Sequence, residues 1–135
     1  MVIDKVLIIA SAIIKNDKGE LLLLERGETK TFQKHWQLPE GKLEAGENPQ
    51  EALTRELQEE INAETVSLEL LAVNATPLEA KGAKYLAFRI IFDAKIKVDK
   101  IKLSDEHLNY KWEKKEDIKN LQLLPGTSEA IESII

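Results

Sequence analysis

Glu56, Glu59 and Glu60 recur at a spacing that brings them to one side of a helix. At roughly 100° per residue they lie beside an apolar stripe of Leu53, Leu57 and Ile61, while Glu51, Thr54, Arg55 and Gln58 take the opposite face. Like charges three and four residues apart destabilise a helix, so a face meant only for water would more naturally carry lysines among them. An isolated Glu-x-x-Glu-Glu is still most often a plain charged surface. Converging carboxylates beside a core-facing stripe suit a hard divalent cation such as Mg²⁺, which takes oxygen ligands and offsets their repulsion.

The helix that must carry these acids has strong start signals. Asn48 suits the cap, Pro49 the first helical position, and Glu51 can reach back to the cap residue. The pattern predicts a helix over about Pro49 to Ile61. Upstream, Gly41 and Gly46 flank a short turn-rich loop, fitting a backbone that approaches a ligand closely or takes positive φ. Glu47 stands at the helix mouth, where the dipole favours an acid.

Gly41, five residues, Glu47, seven residues, then Arg55-Glu56-Leu57-Gln58-Glu59-Glu60 resembles the Nudix box, which here spans Gly41 to Ala63. One fixed position departs: Asn62 stands where the family has its last glycine, and Asn is the next-best residue for a left-handed helix end. Outside the box, Glu40 replaces the first glycine of the family's frequent Pro-Gly-Gly, which would bring a side chain towards the phosphate site. The resemblance covers essentially the whole chain. It implies a single domain over 1–135, with the α/β fold of a Nudix α/β/α sandwich, and a MutT-like enzyme hydrolysing acid anhydrides. It also implies metal ligation by the Gly41 carbonyl, Glu56, Glu59 and Glu60, with Mg²⁺ as cofactor and Mn²⁺ as its substitute. Arg55 would pair with a box acid, Glu59 or Glu51. The general base differs among members; Glu59 is one candidate, and Glu106, in the loop before the last strand, is another, with Asp105 its neighbour. Arg26, Glu40 and Lys42 are the candidates for contact with substrate.

Composition agrees with this reading. The 135 residues carry a net charge of −5, so nucleic acid is not an expected partner and a metal must bridge the like charges of protein and phosphates. There are no cysteines and only two histidines, which excludes disulfides and thiol catalysis, makes a histidine metal site improbable and is compatible with a reducing cytoplasm. No apolar run approaches the ~20 residues of a membrane span, and Val6 to Ile14 lacks a signal-peptide cleavage site.

In order, Lys5 to Lys15 reads as a central strand and Glu20 to Glu25 as its hairpin partner across Asn16 to Gly19. Arg26 ends that strand. Trp36 to Pro39 reads as a short edge strand. Thr65 to Thr76 and Tyr85 to Ala94 are predicted strands, joined by a loop from Pro77 to Lys84. A last strand is expected from His107 to Lys114, a helical turn from Glu116, and a C-terminal helix from Gly126 to Ile135 capped by Thr127 or Ser128. Strands, one loop-helix, more strands and a final helix argue for a mixed β-sheet between helices.

The substrate is less legible. The chain is short, as in MutT-like (d)NTP pyrophosphohydrolases, and shows no marker of the NADH or coenzyme A subfamilies. ADP-ribose, nucleoside diphosphate sugars and dinucleoside polyphosphates are the alternatives. A nucleotide-binding regulatory module without turnover is an alternative of another class, though such domains usually lose box acids and all are present here. A homodimer could form.

Overall fold

The computed structural model describes residues 2–134. Its strands are β1 (Lys5–Ile13), β2 (Leu21–Arg26), β3 (Trp36–Gln37), β4 (Glu40–Lys42), β5 (Glu64–Ala80), β6 (Ala83–Lys97) and β7 (His107–Glu113). Its helices are α1 (Pro49–Ile61), α2 (Lys115–Ile118) and α3 (Thr127–Glu132). Four strands form a mixed sheet in the order β4-β1-β6-β5, with β1 and β6 parallel. The other three form an antiparallel sheet in the order β3-β2-β7.

Residues 9–13 of β1 and 21–24 of β2 are buried on both faces, which explains their apolar runs without alternation, whereas Val6 and Ile8 at the start of β1 stay exposed. Ala10, Ala12, Leu22 and Leu24 pack with Leu53, Leu57 and Ile61 of α1. Ile13, Leu21, Leu23 and Ile91 pack with Ala130 and Ile131 of α3. The helix-sheet-helix layering is therefore as the sequence predicts, but the β1–β2 hairpin is not. The two strands meet only around the turn, where the Asn16 N–H donates to the Glu20 carbonyl at 3.1 Å and the Leu22 N–H to that of Ile14 at 3.0 Å. They then part into different sheets, β1 between β4 and β6, β2 between β3 and β7. A strand buried on both faces carries no pattern that names its neighbour.

The predicted loop at Pro77 is also corrected. β5 continues through Pro77, which pairs with Leu86, and turns at Lys81 and Gly82, both at positive φ. Proline is tolerated there because β5 is the outer strand, where a missing N–H breaks no ladder. At the C-terminal helix neither Thr127 nor Ser128 caps; Gly126 holds the cap position at φ 94° with no side-chain bond. Ile135, the expected helix end, lies outside the described residues.

Helix α1 has the predicted bounds. The Asn48 side chain accepts from the Glu51 N–H at 2.9 Å and Glu51 Oε1 from the Asn48 N–H at 3.0 Å. Leu53, Leu57 and Ile61 are fully buried. The helix ends at Asn62 in the left-handed region, φ 58° and ψ 36°, its N–H donating to the Gln58 carbonyl at 3.1 Å. Asn62→Gly should therefore change stability by no more than about 0.5 kcal/mol and keep activity. Asn62→Val should destabilise by about 1 kcal/mol or more and weaken metal affinity by disturbing Glu59 and Glu60. Thermal melts and a Mg²⁺ titration check both; tolerance of Val in both would mean that Asn62 does not terminate the helix.

Candidate active site

A cavity of about 610 Å³ opens where the ends of both sheets meet the acidic side of α1. Gly41 of β4 and Glu56 and Glu60 of α1 line it. So do Arg26 at the end of β2, Lys30 in the following loop, Lys42, and Glu106 just before β7. Leu7 and Ile9 of β1 and Tyr85 of β6 share one face of the mixed sheet, with Leu78 of β5 paired to Tyr85, and give the cavity an apolar wall.

Glu56 packs directly on the backbone of Gly41, where any Cβ would overlap its carboxyl carbon. Burial raises its pKa, and Arg55 partly opposes this. Glu60 is 3% exposed, and its Oε1 accepts from the Glu40 N–H at 3.1 Å. Its pKa is pushed well above the usual carboxylate range, first by burial and then by the charges of Glu56 and Glu40.

Among the described residues, no three acidic or histidine side chains already stand at ligating distance of one point. The donors nevertheless fit a hard divalent ion. Two half-buried or buried carboxylates disfavoured in their charged form by desolvation and by one another, beside a backbone that leaves room for them, are what such an ion would relieve.

Glu59 behaves differently. Its side chain is 57% exposed, bonds Arg55 at 3.3 Å, and does not line the cavity. Arg55 is a hub, but Glu51 is not its partner, because the cap engages that carboxylate. Instead Glu47 holds the guanidinium with both oxygens, at 2.8 and 2.9 Å, and Glu56 accepts at 2.8 Å. The Arg55 bond holds the Glu47 pKa down at about 2. Arg26 donates to the Thr31 carbonyl at 2.7 Å and to Gln37, and burial lowers its pKa. Glu106 pairs with Lys30 at 3.2 Å.

The Glu40 carboxylate, the third candidate for substrate contact, is buried at the cavity, where it bonds Arg89 of β6 at 3.1 and 3.2 Å and accepts from the Ser11 hydroxyl at 2.8 Å. Arg89 was not foreseen as part of the site, although a lone arginine inside the apolar run of β6 signals a buried charge that needs an acid.

His107 is the other unforeseen neighbour, with Nε2 3.6 Å from Glu60 Oε2. Burial, with help from Arg26 and Lys30 and against Glu106, lowers its pKa from 6.5 to about 4. Between those values the unfolded chain binds more protons than the folded one, so this residue removes stability as pH falls through that window. In chelator, urea melts of the wild type should lose stability from pH 6.5 to 4 relative to His107→Gln. Parallel curves would show that His107 protonates freely in the fold.

The family model described as NUDIX domain matches residues 6–134. The chain belongs to the Nudix family. Across 130 aligned residues, 91% of this Nudix chain and 92% of its relative, it is 29% identical to nucleoside triphosphatase NudI of Escherichia coli. It is 41% identical to an 8-oxo-dGTP diphosphatase of Haemophilus influenzae over 66 residues, which is 49% of this chain and only 48% of that protein. Among solved structures, the MutT protein from Methanosarcina mazei Go1 matches with a TM-score of 0.77 and 32% identity, covering 98% of this chain and 96% of that one. This chain is thus a Nudix hydrolase in which the box glutamate Glu56 packs on the backbone of Gly41 at a cavity.

Proposed function

We propose that the protein hydrolyses nucleoside triphosphates to a monophosphate and pyrophosphate in a Mg²⁺-dependent reaction, with Mn²⁺ able to substitute. One observation carries this reading: two poorly solvated box acids, five lysine and arginine side chains and an apolar wall line a single cavity. The names of the triphosphatase and diphosphatase relatives support the substrate class.

Glu56, Glu60 and the Gly41 carbonyl would hold the metal, with Glu59 reaching in only by leaving Arg55. When bound, the ion lowers the pKa of water and neutralises phosphate oxygens. Glu106 would accept the proton of the attacking water, a role supported by its lining the cavity where Glu59 does not. Arg55, clamped by Glu47, orients Glu56. Arg26, Lys30 and Lys42 offset the phosphate charge, and Leu7, Ile9, Leu78 and Tyr85 offer apolar surface to the base.

Turnover should be measured with Mg²⁺ across nucleoside triphosphates, ADP-ribose, nucleoside diphosphate sugars and dinucleoside polyphosphates. Triphosphates should have the highest kcat/KM. A higher value for another class would replace the substrate, and no turnover at all would favour a binding module.

The same reading takes the chain as one catalytic domain over 1–135, working in the cytoplasm. The absence of cysteines supports that compartment, and among the described residues no helix is long and apolar enough to cross a membrane. Exposed Val66, Leu70, Leu71 and Val73 on β5 support a homodimer, which sedimentation velocity would detect.

A further inference from the structure

Arg89 is 2% exposed in the middle of β6 and forms a two-pronged ion pair with Glu40, which is itself 7% exposed. Burial opposes the charge of the guanidinium, and Glu40 more than offsets this, so its pKa is raised. The remaining nitrogen, Nη1, has no hydrogen-bond partner and is packed against Gly126, where a Cβ would overlap it. The fork is thus fixed between Glu40 on one side and the backbone before α3 on the other.

Buried ion pairs add little net stability, because desolvation cancels most of the attraction. Two apolar residues could fill the same space, so the consequence of the pair lies in what it positions. Glu40 opens β4, a three-residue edge strand paired only with β1. Short edge strands have few bonds of their own to hold them. Its carboxylate is anchored by Arg89 and Ser11, while its N–H points the other way and donates to Glu60 at 3.1 Å. The next residue, Gly41, lies under Glu56.

We infer that Arg89 is a positioning residue of the hydrolytic site: through Glu40 it holds β4 where the Glu40 N–H meets Glu60 and the Gly41 backbone meets Glu56. The inference rests on the reading that Glu56, Glu60 and Gly41 form the reactive centre. It makes the residue that replaces a family glycine into a strut between the C-terminal segment and the metal-binding acids. Arg89 also lines the cavity, so direct contact with substrate is the rival outcome, and the two differ in kinetics.

The test uses the full chain and the variants Arg89→Met, Arg89→Lys, Glu40→Gln and the double Arg89→Met/Glu40→Gln. Steady-state kinetics are run on the best substrate of the panel, at a temperature well below every melting point. Mg²⁺ binding is also titrated calorimetrically without nucleotide. Arg89→Met should lower kcat by about tenfold or more, since small misplacements at a reactive centre have large effects, and leave KM within about twofold. It should weaken Mg²⁺ binding at least about threefold, and Arg89→Lys should recover part of each loss, because it restores the charge without the fork. The double variant should be no worse than either single one, since both act through one contact.

A raised KM with unchanged kcat would overturn the inference in favour of substrate contact. A lower melting point with unchanged kcat and Mg²⁺ affinity would overturn it in favour of a purely structural pair. If Arg89→Met does not fold, Arg89→Lys and the double variant, which leave no unpaired buried carboxylate, decide between the same outcomes. If the wild type turns over nothing, the reading of the site fails, and the Mg²⁺ titration still tests the strut.

Discussion

Glu60→Gln and Glu56→Gln should each lower kcat by at least ~10²-fold while the metal-free protein becomes no less stable. The loss follows from what the carboxylates would do, since a ligand removed from a metal-assisted hydrolysis acts on the transition state. Stability moves the other way because Glu60 is buried beside Glu56 and Glu40, and its charged form is disfavoured by both burial and repulsion. Glutamine keeps the shape and an oxygen for the Glu40 N–H while removing the buried charge. The effect on melting temperature should be larger for Glu60 than for Glu56, whose carboxylate Arg55 already bonds at 2.8 Å. Addition of Mg²⁺ should raise the melting point of the wild type and leave that of Glu60→Gln nearly unchanged. Near-wild-type rates in either variant would remove that acid from the reactive centre.

Gly41→Ala has a comparable expected effect for a different reason. The added methyl would occupy the space of the Glu56 carboxyl, so that side chain must swing away from both Arg55 and the cavity. The backbone there is not in a left-handed conformation, so the fold should survive. Displacing a reacting group by about 1 Å can reduce rates ~10²-fold, and that is the loss expected in kcat. Gly46→Ala is the matching control. Its glycine has φ 88° and open space around it, so alanine should reduce stability by about 1 kcal/mol and spare kcat. Equal kinetic losses in the two variants would show a general disturbance of the loop rather than a displaced Glu56.

The legible and illegible parts of this molecule divide by the range of the forces involved. Helix α1 could be read to the residue because its signals are local: Asn48 and Glu51 bond one another across three residues, and Asn62 ends the helix by its own backbone preference. The convergence of Glu56 and Glu60 follows from helical spacing, and both face the cavity as expected. Glu59 shares that spacing, but Arg55 is close enough to hold it outside. Of the two acids expected to pair with Arg55, Glu59 does so and Glu51 is taken by the cap, while Glu47 comes back to it from the loop ahead of the helix. The partition of β1 and β2 between two sheets left no trace in strands apolar on both faces. The bond between Glu40 and Arg89 joins residues 49 positions apart. Each carries an odd feature alone, an acid in a glycine position and an arginine in an apolar strand, and only the fold shows that one explains the other.

The most direct test of the central claim is the identity and metal dependence of the products formed from a nucleoside triphosphate, followed by phosphorus NMR with and without Mg²⁺. The expected result is pyrophosphate and the monophosphate with Mg²⁺, and neither in chelator or with Glu60→Gln. Orthophosphate and the diphosphate as products, or turnover that persists in chelator, would contradict it.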